Sequence, residues 1–254
     1  AINIVWPIVA FIMSVGTGIG VGGSVIMNKL KGGGYTNEAK SEKKETIVIL
    51  LAVGIAASAI LSFIYKPVIA LMGADGNVFK LASHYARVFC IGSAAQIAGS
   101  GLVVILRNDG KTYESMIYSV IGFIVHLLLD ILLVKRYSMG GVAAASVISQ
   151  TVVSALCFWN IGIDFKGIKL KNASGIFTCA AAPFGLNFVP SLVLMFTNFF
   201  ALKAGGVPAV SAYAVMSYAV YTFDYIFQGV CDGVQPIISY LAGADDFEYE
   251  KKIL

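Results

Sequence analysis

The sequence predicts an all-α membrane protein with about seven transmembrane helices. Composition is the first reason: of 254 residues, 58% are hydrophobic and only 13% charged, with a mean hydropathy of +0.83, whereas soluble domains carry about 25% charged residues. The second reason is segmentation. The apolar residues fall in runs that meet the requirement of about 20 mainly apolar residues for a spanning helix, and the short alternating strands of a membrane barrel are missing from the pattern.

In chain order, the expected spans are 2–28, 46–72, 80–106, 113–134, 141–163, 175–202 and 209–242. The opening AINIVWPIVAFIM has neither an initiator Met nor a basic n-region. It is read as part of a span and not as a signal peptide, and the chain is expected to be a fragment. The charged stretch TNEAKSEKKE separates the first span from the second, and RNDGKT separates the third from the fourth. Gly141, Ala145 and Ser149 form a small-residue row in the fifth span, suited to close helix packing. Pro183, Pro190 and Pro236 mark the sixth and seventh spans as bendable.

Charge placement orients the spans. Twelve of the 18 Lys and Arg residues, among them Lys29, Lys31, Arg107, Lys166 and Lys169, lie in or beside the connections after the first, third, fifth and seventh spans, and six lie on the other side. The positive-inside rule makes the richer side cytoplasmic. The net charge of +4 forms no basic face, so nucleic acid is not an expected partner. Cys90, Cys157, Cys179 and Cys231 stand singly in apolar surroundings and predict neither disulfides nor a metal site.

Two polar constellations interrupt the apolar background. In the fourth span, His126 and Asp130 sit four residues apart, on one helix face, where they could share a proton or a cation. A charge at mid-helix costs about 2.5–3.5 kcal/mol on insertion scales, so such groups are functional candidates. The bland alternative is that Asp130 lies at the helix end and pairs with Lys135 or Arg136. In the seventh span, Asp224, Gln228, Asp232 and Gln235 follow at steps of four, four and three, a helical stripe that must face protein or water. Tyr218, Tyr221 and Tyr225 lie nearby and could offer ring faces to an organic cation. Ordinary interhelical hydrogen bonds would also account for the stripe.

An internal echo bears on architecture. Gly18, Gly22 and Gly32 recur as Gly229, Gly233 and Gly243 at a constant offset of 211. Equivalent helices six apart would keep their orientation, giving parallel repeats about an axis along the membrane normal. The complete protein would then have twelve helices.

The stretches GTGIGVGGSVIMNKLKGGGYTNEAK, LRNDGKT, LLLDILLV, GGVAAASVISQ and GVQPIISYLAGA, in this order and spacing, resemble the multidrug and toxic compound extrusion (MATE) transporters, and within them the DNA-damage-inducible branch. The resemblance implies a two-lobe fold of twelve helices. Residues 1–163 would belong to the N-terminal lobe as its second to sixth helices, 164–174 to the cytoplasmic linker, and 175–254 to the start of the C-terminal lobe as the seventh and eighth. It implies an antiporter coupled to protons or sodium that exports amphipathic, cationic drugs or metabolites by alternating access. No cofactor is implied beyond the coupling ion. The ion site would be Asp130, His126 and Ser146. His126 stands where several members have Asn, and imidazole is a poor ligand for a hard cation, which weakens the case for sodium at Asp130. The substrate cavity would draw on Asp224, Gln228, Asp232, Gln235, Tyr221 and Tyr225. A monomer in the inner or plasma membrane of a prokaryote is expected, with the lipid bilayer and small organic cations as its partners.

Other readings are weaker. Gly18, Gly20 and Gly23 spell a dinucleotide fingerprint but lie inside a spanning helix, and Gly110-Lys111-Thr112 lacks the first glycine of a phosphate loop. No hydrolase motif supports an enzyme. A lipid-linked saccharide flippase of the wider superfamily would need a more basic cavity. A seven-helix receptor has no need of the repeat, and a retinal protein would need a lysine in the last span.

Overall fold

The computed structural model describes residues 2–72, 76–162 and 170–253, without the side chains of residues 2–4, Val207 and Tyr218. Lys166, Lys169 and most of the expected 164–174 linker lie outside the described residues, as does the Tyr218 ring. All regular structure among the described residues is helical: α1 (Ile2–Gly32), α2 (Thr36–Leu71), α3 (Gly76–Ile91), α4 (Ser93–Asn108), α5 (Thr112–Ile161), α6 (Ala173–Gly243) and α7 (Phe247–Ile253).

Four of these helices are long and apolar enough to cross a membrane, or five when α3 and α4, bent by 58°, are taken as one span. Two of them reverse along their length. Straight, the 50 residues of α5 would run about 75 Å, far beyond the roughly 30 Å of hydrocarbon. The chain instead reverses at Ser138 (φ 50°, ψ −131°). Gly122 consequently faces Val153 and the Ser149 carbonyl, and Lys111 Nζ donates to Asn160 Oδ1 at 2.6 Å. The same happens in α6 at Gly206 (φ 65°, ψ −156°), a backbone conformation open to glycine at little cost. There the Tyr221 hydroxyl reaches back to the Pro190 carbonyl at 3.5 Å. Each of α5 and α6 is thus an antiparallel pair of limbs. The second limb of α6, which carries the polar stripe, is not among the segments that qualify by hydropathy.

Two boundaries differ from expectation. α2 begins at Thr36 instead of 46, because the charged stretch is itself helical and has partners: Glu45 accepts the Asn172 backbone N–H at 2.7 Å, and Lys43 reaches Asp109 at 2.8 Å. The third span breaks at Gly92. Ser58 of α2 covers the break, its hydroxyl donating to the Cys90 carbonyl at 3.2 Å, so a carbonyl freed by the bend is not left bare in the membrane.

α1 is the axis of the bundle. In its most apolar stretch 61% of residues are buried, against 6% for α5, whose Leu127, Ile131 and Leu132 are exposed. The glycines of the apparent dinucleotide fingerprint explain how α1 holds so many neighbours. Gly18 lies against Ala180 and Phe184 of α6, Gly20 against Gly101 of α4, and Gly23 against Thr46 of α2. Without a Cβ, three helices approach one at close range.

The offset of 211 has a counterpart in space. Gly32 packs on the Tyr240 carbonyl oxygen, and Gly243 packs on the Lys29 carbonyl oxygen. Adding 211 to Gly32 and Lys29 gives Gly243 and Tyr240, so the first contact maps onto the second. α1 and the second limb of α6 therefore cross through a contact that is symmetric under the sequence echo. This crossing lies at the lysine-rich end, where Asn28 Nδ2 also donates to Asn108 Oδ1 at 2.7 Å and Lys31 and Lys43 both pair with Asp109. Burial pushes the Asp109 carboxyl up, but hydrogen bonds from Lys43 and Lys31 and their charges outweigh it and hold it below the usual aspartate value.

Candidate functional site

A cavity of about 430 Å³ opens between α1, α4 and both limbs of α5 and α6. Helical spacing brings its polar groups together: Ser100 and Arg107 are seven residues apart on α4, and Ser119 and His126 seven apart on the first limb of α5, each pair sharing a face. The remaining polar lining comes from Thr17, Ser149, Gln150, Asn187, Gln228 and Asp232.

His126 belongs to this wall and also to the expected ion site. Its Nε2 lies 3.5 Å from Asp130 Oδ2, with about a third of each side chain exposed (35% and 32%). His126 Nδ1 and Asp130 Oδ1 are buried and have no hydrogen-bond partner among the described residues. Asp130 does not pair with Lys135 or Arg136 in the ion pairs of the described residues. Ser146 reaches the pair indirectly. Its hydroxyl donates to the Val142 carbonyl at 3.3 Å and interacts with that of Tyr85, which lies within electrostatic reach of Asp130. Tyr85, buried to 6% exposure, escaped sequence reasoning because one tyrosine in an apolar run carries no spacing signal.

The seventh-span stripe divides. Gln228 and Asp232 line the cavity, whereas Asp224, Gln235, Tyr221 and Tyr225 do not. The reason is helical drift: each four-residue step overshoots a full turn by about 40°, which leaves Asp224 about 80° and Gln235 about 60° away from Asp232. Asp224 is exposed, as is Tyr225 (71%), while Gln235 Nε2 donates to Ser239 at 3.0 Å.

Asp232 is not a free anion awaiting a cation. Arg107 Nη1 donates to its Oδ2 at 3.1 Å, and Gln228 Nε2 donates to its Oδ1 at 3.0 Å. Arg107, expected to be one more positive charge at the cytoplasmic surface, is instead a cavity residue with a side chain only 17% exposed. The seven-residue spacing from Ser100 was the available signal.

The geometry describes a polar cavity inside a helical bundle, with His126 in its wall and Asp130 beside that imidazole. The MatE family profile matches residues 1–132. The multidrug export protein MepA of Staphylococcus aureus (strain NCTC 8325 / PS 47) is 24% identical over 251 residues, which cover 94% of this chain and 55% of the relative. The same protein from Staphylococcus saprophyticus is also 24% identical, again with 55% of its length covered. The chain thus spans about half the length of the curated relatives it matches. Among solved structures, a multidrug resistance MATE transporter in an outward-facing conformation superposes with a TM-score of 0.85 at 19% identity, covering 99% of this chain and 59% of that one. A MOP superfamily transporter from Pyrococcus furiosus, described as having a binding pocket of reverse polarity, gives 0.82 at 20% identity, covering 99% and 58%. With more than half of its residues matched by the family profile, this chain belongs to the MatE family of multi-pass membrane transporters, the multidrug and toxic compound extrusion proteins.

Proposed function

We propose that this chain is the ion-coupling portion of a multidrug exporter that moves amphipathic compounds out of the cell by alternating access between two lobes. Residues 1–163 belong to the first lobe, 164–174 to the linker and 175–254 to the second. The observation that carries the reading is the double membership of His126, which lines the cavity and contacts Asp130. Protonation of the pair changes the charge in the cavity wall, so ion and substrate occupancy are linked electrostatically. Imidazole in place of an amide favours protons over sodium as the coupling ion. The crossing of Gly32 and Gly243 supports the two-lobe arrangement, since equivalent positions of a repeat meet at the axis that relates them.

The driving force is adequate. A tenfold ion gradient supplies about 1.4 kcal/mol and a 100 mV potential about 2.3 kcal/mol per charge. One entering proton yields about 3.7 kcal/mol, enough to export a monovalent cation against the potential with about tenfold accumulation. Cationic substrates find Asp224 and Tyr225 exposed on α6, whereas Asp232 is already paired with Arg107.

Efflux in everted vesicles carrying the complete gene product, with pH and sodium gradients imposed separately, tests the proposal. Asp130→Asn should abolish uphill efflux and leave substrate binding measurable. His126→Asn should shift the pH optimum or raise sodium dependence. Normal pumping by Asp130→Asn under both gradients would make the pair structural and overturn the reading.

A further inference from the structure

Besides His126, the cavity is lined by Arg107 and Asp232, and these two are unequally satisfied. Both oxygens of Asp232 are used, one by Arg107 and one by Gln228. The guanidinium has five N–H donors in a rigid fork. Only its Nη1 is engaged by Asp232, while Nε and Nη2 are buried with no acceptor among the described residues. These two nitrogens form one edge of the guanidinium, the geometry that a carboxylate grips through two parallel hydrogen bonds. Ser100 and Ser119 in the same wall already donate their hydroxyl hydrogens to backbone carbonyls, and Asn187 donates its amide to the Pro183 carbonyl. Arg107 and Asp232 offset each other in charge, and of the two it is the guanidinium edge that keeps unpartnered donors.

We propose that the free edge of Arg107 is an anion subsite, which takes the carboxylate of an amphipathic substrate. A cation entering here must share Asp232 with Arg107 and Gln228, which already donate to both of its oxygens. A carboxylate competes with neither bond, and it reaches the buried edge once Arg107 shifts to present it. The proposal refines the substrate class of the export reading, and for compounds that also carry a cationic group it selects zwitterions. It rests on that reading only for the direction of movement, since binding requires no gradient.

Equilibrium binding to the purified complete protein in nanodiscs tests it, with a xanthene dye bearing a free carboxylate and the methyl ester of the same dye as probes. The acid should bind roughly tenfold tighter than the ester, the scale of one charge-assisted hydrogen bond. Asp232→Asn should raise affinity for the acid relative to the ester, because Arg107 loses its competing counter-charge. A purely structural ion pair predicts the opposite, weaker binding of both dyes. The double variant Arg107→Gln, Asp232→Asn removes both charges together and should abolish the preference while retaining ester binding. Arg107→Lys, which keeps the charge but loses the fork, should reduce the preference should the double variant fail to fold. Equal binding of acid and ester by the unmodified protein overturns the subsite, as does an Asp232→Asn protein that binds the acid no better. Displacement of bound dye by a short-chain phosphatidate but not by a carboxylate would reassign the edge to lipid phosphate and overturn the carboxylate proposal. Acid preference without gradient-driven efflux would leave the subsite standing and refute export instead.

Discussion

The symmetric crossing of α1 and α6 lends itself to a direct perturbation: Gly32→Ala, Gly243→Ala and the two together. A Cβ at Gly243 would meet the Lys29 carbonyl carbon and Cα at 2.7 Å, and bringing these to an ordinary 3.4 Å requires about 0.7 Å of separation. The Lys29 carbonyl oxygen lies nearer still, so 0.7 Å is a lower bound. The obstacles are backbone atoms with no rotamer to escape into, which puts the cost in the usual overpacking range of about 1–3 kcal/mol. If the crossing closes the cytoplasmic end, that energy biases the transporter toward opening there, by roughly 5- to 150-fold in the conformational equilibrium. A cysteine at Thr17, in a background without the four native cysteines, reports on this through its labelling by an impermeant maleimide in everted vesicles. Labelling should accelerate similarly for either single variant, since the contact is symmetric. The double variant should fall short of the sum, because one separation relieves both clashes. Unchanged labelling with a lowered melting temperature would make the crossing ordinary packing and refute the argument.

The Asp109 cluster makes stability sensitive to acid. A carboxyl whose folded pKa is depressed stabilises the protein above the unfolded value of about 3.9 and loses that contribution as pH falls through the lower folded value. Asp109→Asn should cost about 1–3 kcal/mol near neutral pH and flatten the acid limb of a melting-temperature profile. Glu45→Ala should free the Asn172 N–H at the start of α6, at about 0.5–2 kcal/mol by analogy with a lost helix cap, and speed hydrogen exchange there. Glu45→Gln keeps an acceptor and should do so much less. Tyr85→Phe, by removing the hydroxyl that links Ser146 to the surroundings of Asp130, should shift the pH dependence of efflux without altering expression.

Long apolar runs and turn glycines made the helices legible from sequence, and one of the three glycine pairs related by the offset of 211, Gly32 and Gly243, lies at a helix crossing. His126 and Asp130 were legible because their spacing is local. Arg107 and Tyr85 were not, since their roles depend on partners 125 residues away in Asp232 and on a different helix in Ser146. The stripe on α6 divides between the cavity and its surroundings for a reason that hydropathy alone obscures. Steps of four keep residues near one another but drift around the helix, and only the narrow sector holding Gln228 and Asp232 faces the cavity. The reversals at Ser138 and Gly206 fall between the expected spans, 113–134 and 141–163 in one case and 175–202 and 209–242 in the other. Gly206 itself takes the positive φ (65°), whereas in α5 it is Ser138 (50°), just before Gly140 and Gly141.

Asp232 connects the cavity to the crossing. Eleven residues separate it from Gly243, which is about 16 Å and three turns along the same limb. Arg107 holds that limb to α4 through Asp232, while Gly243 holds it to α1, so the two contacts clamp one lever at two heights. Pro236 lies between them. It removes a backbone hydrogen bond from the ladder and so introduces a point of compliance in the lever. A substrate that leaves the Arg107–Asp232 bond intact lets the upper clamp persist, and opening must then begin at the glycines. A substrate that breaks the bond frees the limb above the proline first. Under Pro236→Ala, which restores the ladder, the two ends should move as one, so that Asp232→Asn alone raises maleimide labelling at Thr17→Cys. In the native sequence, Asp232→Asn should leave that labelling close to its original rate. Equal responses with and without Pro236 would remove the proline from the coupling path.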